Sequence, residues 1–447
     1  MWKTIPTTLL SKRNFLTTEI YTQGKRFLLS NSFPCQEAWE RRLQSPIFQN
    51  LKLGDLYQDL EQKFQNDGKA SAIDIDIFAN AVKGESYIDE LEDLIHKLRL
   101  SANAVYMLPS TSHAFIRTLL AFDRHDDLLR VLNDRLNYGI FPDDYCSCLL
   151  MDTYIKQNKF TEATRVSVLQ MLQEDWNHPL TTHLALASCH MFLRNKSVWE
   201  EESLPEEDSK EEIKVRVKYI RNPYFDDHFD LRNPQLLVGK TLATMGSTLA
   251  DPVGHTYQLI GWCLYKKWEK VIPLINQLLK SEAKPIIYKE GINMVEDILE
   301  GHLKEKPDDS GTELKTSMVP LLEKLKSSGV VCNDDLHAAV MNKVKHIVES
   351  EEKHMIEQQT LTYKDWEVTR ESALQEEVKK LDTMKRLARV QQEKEELVRR
   401  EQELFFFDNE DKWDLIIEKK ESFALSQQNE SKKKKKVQDE NYVPPEI

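Results

Sequence analysis

Glycine and proline are scarce, at 13 and 16 of 447 residues, which is roughly half their usual combined share of about 12%. So few breakers leave little room for hairpin turns or phosphate-cradling loops, and helix is the natural reading. Positive charge is also short: 61 Lys and Arg face 74 Asp and Glu, for a net charge of -13. A body of that sign does not coat nucleic acid by bulk electrostatics, so any phosphate contact must be local. The six cysteines (Cys35, Cys146, Cys148, Cys189, Cys263 and Cys332) keep no framework spacing, which predicts free thiols in a reducing compartment. No stretch reaches the ~20 apolar residues of a membrane span, and no membrane contact is expected.

Catalytic patterns are missing as well. Gly239-Lys240-Thr241 has the ending of a phosphate loop, but Pro234 stands where its first glycine belongs and no strand precedes it. Cys146 and Cys148, or His178 and His183 with Cys189 and His190, offer metal-binding atoms. Residues two apart on a helix do not face one another, and no four-ligand spacing is present. Carboxylates are abundant but sit in solvated runs, not singly in apolar surroundings where a pKa would be tuned. The expectation is a binding protein with no enzymatic activity, no cofactor, no metal and no small-molecule substrate.

Several features are positively informative. Residues 1–30 carry Lys3, Lys12, Arg13, Lys25 and Arg26 against a single acid, Glu19, among many hydroxyl residues. That composition predicts a mitochondrial transit peptide, with an ordinary basic N-terminus as the plainer alternative. From 31 to 303, short amphipathic segments follow one another, and none can bury its apolar face alone. Two of them superimpose on adding 35: in units 109–143 and 144–178, Phe115 falls on Leu150, Ile116 on Met151, Leu119 on Tyr154 and Leu128 on Ala163. A 35-residue period is that of stacked helical hairpins. A third unit opens at Pro179, and a preceding one near Asp74. An acidic run at about 200–212 then reads as a solvated insertion. Residues 304–316, with Pro307, Asp308, Asp309 and Gly311, read as a linker. Residues 317–407 read as a long charged helix or coiled coil, and 408–447 as a tail with a lysine run. The fold class is all-α: a solenoid of helical hairpins followed by a long charged C-terminal helix.

The stretch Tyr138-Gly139-Ile140-Phe141-Pro142-Asp143, followed by Leu149-Leu150-Met151-Asp152, Tyr154-Ile155-Lys156 and Ala163, resembles the pentatricopeptide repeat, whose units end in Gly-x-x-Pro-Asp. With Gly24 to Ser30 and Trp39-Glu40, the chain is similar to the pentatricopeptide proteins of the mitochondrial small ribosomal subunit. The resemblance implies a structural ribosomal component in the mitochondrial matrix. Its implied partners are small-subunit ribosomal RNA and neighbouring ribosomal proteins, and its implied role is support of mitochondrial translation.

In base-reading members of the wider family, the fifth and last residues of a unit face one RNA base. Here those pairs are His113 with Asp143 and Cys148 with His178, and Cys148 is a poor partner for a base edge. Contact through phosphate and shape is therefore expected. The candidate RNA-binding residues are His113, Asp143, Lys156, Lys159, Arg165 and the run Lys432, Lys433, Lys434, Lys435 and Lys436. Plain solubilisation and a nuclear signal are the alternative readings of the lysine run, the nuclear one ranking below RNA contact. Rival readings are a free pentatricopeptide factor for mitochondrial transcripts and a helical-repeat protein adaptor.

Overall fold

A computed structural model describes residues 28–199, 226–280, 286–305 and 309–440, and the described chain is almost entirely helical. Two short helices, α1 (Gln36–Arg41) and α2 (Pro46–Gln49), and the longer α3 (Leu53–Asp67) come first. Then follow α4 (Ala72–Ala81), α5 (Ile88–Leu100), α6 (Pro109–Ala121), α7 (His125–Asn133), α8 (Arg135–Tyr138), α9 (Asp144–Lys156), α10 (Phe160–Gln173) and α11 (Pro179–Arg194). Beyond these lie α12 (Pro234–Thr248), α13 (Pro252–Leu264), α14 (Trp268–Lys280), α15 (Lys289–Glu305), α16 (Asp309–Ser327) and α17 (Leu336–Glu440). Two two-residue strands, β1 (Ile287–Tyr288) and β2 (Val331–Cys332), pair in parallel; nothing in the hydropathy pattern marks them.

The hairpins are α4/α5, α6/α7, α9/α10, α11/α12, α13/α14 and α15/α16; first helices pack on first helices from α4 through α6 and α9 to α11 and again between α13 and α15, and second on second from α7 through α10 to α12 and between α14 and α16. Positions matched by the 35-residue shift are matched in burial too: Phe115, Leu150, Ile116, Met151, Leu119 and Tyr154 are all wholly inaccessible. The hairpin turn repeats with equal regularity. Asp123, Asn158, Lys196 and Lys266 are each left-handed. Just beyond each, Arg124, Lys159, Ser197 and Lys267 donate N–H to the carbonyls of Leu119, Tyr154, Phe192 and Trp262. This is the six-to-one closure of a Schellman turn, which satisfies the orphan carbonyls at a helix end. The resemblance motif acquires a mechanical meaning in the same way. Gly139 takes the left-handed conformation that ends α8, and Asp143 caps α9 by accepting the Cys146 N–H at 2.7 Å.

The repeat continues beyond the acidic stretch. Pro252, Lys266 and Trp268 keep the intervals of Pro109, Asp123 and His125. The acidic run falls between the two helices of one hairpin, α11 and α12; residues 200–225 lie outside those described. Helices α12 and α13 are held unusually close. An added Cβ at Gly239, Gly246, Gly254 or Gly261 would come within 2.2–2.6 Å of backbone or neighbouring atoms of the pair or its connecting turn. These four glycines form a seam along which two backbones touch. Gly239-Lys240-Thr241 is thus mid-helix, not a phosphate loop.

Several sequence boundaries are corrected. Residues 1–27 of the expected leader lie outside the description, but its last residues do not: Leu29 is buried and donates its N–H to Asp152 Oδ1 at 3.1 Å. The folded body therefore begins before residue 30. The expected linker at 304–316 is mostly helix, because α16 starts at Asp309; Pro307, Asp308 and Asp309 read equally well as a helix start. The long helix begins at Leu336, not 317, and continues through the expected tail to Glu440.

The chain divides into two compact units, one ending at Val368 and one starting at Thr369. In the first, α17 lies along the first helices of the hairpins. Leu336, Val340, Val344, Val348 and Met355 are buried in the common core. Polar bonds fix the register: His337 with His190, Glu352 with the Ser30 N–H, and Tyr363 with His113. In the second unit, the residues of α17 with described side chains are overwhelmingly exposed.

The His190–His337 contact carries a pH prediction. His190 Nε2 is 2.9 Å from His337 Nδ1, and its Nδ1 is 2.5 Å from the Tyr257 hydroxyl. Burial, aided by His337 and Arg194, pushes the His190 pKa down to about 4. The native state holds this ring neutral while the unfolded chain protonates it near ~6.5. Its contribution is therefore fully present above that pH and is lost as pH falls toward 4. We expect urea midpoints to decline over this window, and His190→Gln to remove roughly 3 kcal/mol of the pH dependence. An unchanged pH profile in the variant would refute the assignment.

Candidate nucleic-acid interface

A pentatricopeptide unit reads a base with the fifth side chain of its first helix, which must be open to solvent. In this chain each such position is closed. His113, Cys148 and His183 of α6, α9 and α11 are buried, as is Thr256 at the matching place in α13. Cys148 Sγ lies 3.4 Å from Thr181 Oγ1, and His183 Nδ1 is 2.6 Å from the Pro179 carbonyl. The Thr256 hydroxyl accepts the Tyr288 N–H at 3.1 Å. The last residues of the units are diverted as well. Asp143 caps α9, and His178 Nδ1 accepts the Leu180 N–H at 3.2 Å to cap α11.

What covers these positions is the chain itself. His113 is enclosed by Trp39, Tyr145, Tyr363 and Trp366, with ring centroids 5.0–5.7 Å away. Its Nε2 is 3.0 Å from the Tyr363 hydroxyl. Arg117 braces the lid, donating to the Pro34 carbonyl, the Tyr363 hydroxyl and Gln36 Oε1. Burial, with Arg117 and Arg42 nearby, holds the His113 pKa well below its ordinary value. A neutral, walled-in imidazole cannot meet an RNA base, so the assignment of His113 to RNA is corrected. Sequence reasoning gave Trp39 no place beside His113 and missed Tyr363 and Trp366, which lie some 250 residues further along the chain and give no local signal.

The cationic candidates differ in availability. Lys156 is ion-paired with Asp152 at 2.5 Å. Lys159 is half-buried at the start of α10, and the Arg165 guanidinium lies 5.3 Å from the Trp199 ring centroid. Asp143 is exposed, and its carboxylate is committed to capping α9. Lys432, Lys433 and Lys434 are exposed on continuous helix. Lys435 and Lys436 share that helix, and their side chains lie outside the description. On the same helix Phe405, Phe406, Phe407, Trp413, Leu415, Ile416 and Ile417 are all exposed. Large apolar side chains concentrated in this way mark a contact surface. None of the described helices is long and apolar enough to cross a membrane.

The family described as mitochondrial 28S ribosomal protein S27 matches residues 1–396, which covers all the hairpins and more than half of α17. The chain belongs to the mitochondrial 28S ribosomal protein S27 family and is a mitochondrial protein of the small ribosomal subunit.

Proposed function

We propose that the chain is a fixed, non-enzymatic architectural element of the subunit that binds ribosomal RNA through phosphate and docks neighbouring ribosomal proteins along α17, thereby supporting mitochondrial translation. The observation that carries this reading is the closure of the base-reading positions by the chain itself, with Tyr363 and Trp366 of α17 set over His113. A free transcript-binding factor needs those positions open, so the rival reading is disfavoured. The exposed lysines at 432–434 and the exposed apolar run from Phe405 to Ile417 supply the two kinds of contact. Lysines attract phosphate whatever the base order and are screened by salt; apolar docking is not screened.

The two contacts separate on sucrose gradients of mitochondrial lysate run at low and high salt. Replacing Lys432, Lys433, Lys434, Lys435 and Lys436 by Gln is expected to leave incorporation intact. The same variant should flatten the salt dependence of the purified chain's binding to small-subunit ribosomal RNA, by roughly 0.7–0.9 in log–log slope per lost phosphate contact. A triple Ser variant of Phe405, Phe406 and Phe407 is expected to co-migrate at low salt and be stripped at high salt, where the wild type stays bound. A wild-type chain that runs as a light, RNA-free peak would overturn the proposal.

A further inference from the structure

One cluster of chemistry-bearing side chains in the hairpins is left unused by the ribosomal reading. His113 on α6, Asp143 at the cap of α9 and Cys146 on α9 present Nδ1, a carboxylate oxygen and Sγ within 4.8 Å of one another. His113 Nδ1 and Cys146 Sγ are 3.1 Å apart. Two ligands of one tetrahedral zinc stand about 3.5 Å apart, given bonds of about 2.0 Å to nitrogen and 2.3 Å to sulfur, so the pair has only to open by a few tenths of an ångström to take an ion between them. We propose that His113, Asp143 and Cys146 together bind one divalent ion of the zinc class.

The surroundings match what such a site requires. The ring of His113 is fixed by packing against Trp39 and Tyr145, and its second nitrogen faces the Tyr363 hydroxyl at 3.0 Å. A metal-bound histidine commonly donates its other N–H to such an acceptor, which sets both tautomer and orientation. Asp143 Oδ1 is occupied by the Cys146 N–H at 2.7 Å, leaving the second carboxylate oxygen for the ion. His113 and Cys146 are buried while Asp143 is exposed, so an ion arrives past Asp143 and water completes its coordination. One nitrogen, one sulfur and one oxygen favour zinc over calcium or magnesium, which take oxygen alone.

Charge and protons balance. Burial keeps the Cys146 thiol protonated when no cation is near. On binding, the ion replaces that proton, which leaves to solvent, and the thiolate and carboxylate together offset the two positive charges.

The full-length chain, stripped with chelator, is to be titrated with cobalt(II). One equivalent is expected to bind, with visible d–d bands and a thiolate-to-cobalt charge-transfer band, and zinc is expected to displace it. Cys146→Ser should abolish the charge-transfer band and Cys148→Ser should leave it. Asp143→Asn keeps a good helix cap and is expected to weaken cobalt binding at least ~10-fold. A folded wild type without the band, a band that persists in Cys146→Ser, or equal affinity in Asp143→Asn would each overturn the proposal. If Cys146→Ser fails to fold, the wild-type titration and Asp143→Asn still decide.

Discussion

Gly261→Ala is expected to lower the stability of the hairpin body by about 2–3 kcal/mol, the range of overpacking in a closed interior. The new Cβ would sit 2.2 Å from the Ala243 amide nitrogen and 2.7 Å from the Gly239 carbonyl oxygen. These are backbone atoms of α12, so nothing flexible can yield and the two helices must move apart. Gly301 in α15 supplies the control, since an added Cβ there meets nothing within 4 Å. Gly301→Ala should stabilise by roughly 0.5–1 kcal/mol through helix propensity and unfolded-state entropy. The same substitution thus carries opposite signs at two helical glycines. Thermal or urea unfolding of both variants checks it, and two stabilising outcomes would sink the close-packed seam.

A second contrast tests the two parts of α17. Val344 is wholly buried against the first helices, whereas Val378 is half exposed on the second unit. Val344→Asp places a carboxylate in an apolar contact and discards a buried valine. The combined cost is several kcal/mol, enough to unfold a body of ordinary stability. Val378→Asp should stay within about 0.5 kcal/mol, as for most surface changes. Urea unfolding followed by tryptophan fluorescence would report both. Equal, small effects would show that α17 merely lies beside the hairpins and is not part of their core.

Local information made the hairpins readable from the sequence. Leu119 and Tyr154, or Leu128 and Ala163, occupy matched places because each unit solves the same packing problem. Pro109, Asp144 and Pro179 mark helix starts by their own backbone chemistry. The unsuitability of Cys148 for base reading was legible for the same reason, since it depends on one side chain and its place in the period.

What could not be read depends on distant partners. Leu336, Val340 and Val344 form a visible stripe, but nothing local says that it packs on helices roughly 150 to 230 residues earlier, so the segment reads only as a long charged helix or coiled coil. Cys146 and Cys148 are neighbours in sequence and read together as a pair that cannot face one ion; the structure sets Cys146 against His113, one hairpin away. The glycine seam was hidden in a low overall glycine count, where four residues at seven- and eight-residue spacing carry no motif.

The closure of the hairpins by α17 also bears on how the chain reaches its native state. A solenoid of nearest-neighbour contacts can nucleate anywhere and grow during synthesis. Here Ser30 bonds Glu352 across 322 residues, and His113 meets Tyr363 across 250. Contacts of such sequence separation raise contact order and slow folding. Synthesis at about 5–20 residues per second leaves the apolar seam of the first helices uncovered for tens of seconds before residue 336 emerges. Cooperative completion of the fold therefore waits on the C-terminal quarter of the chain.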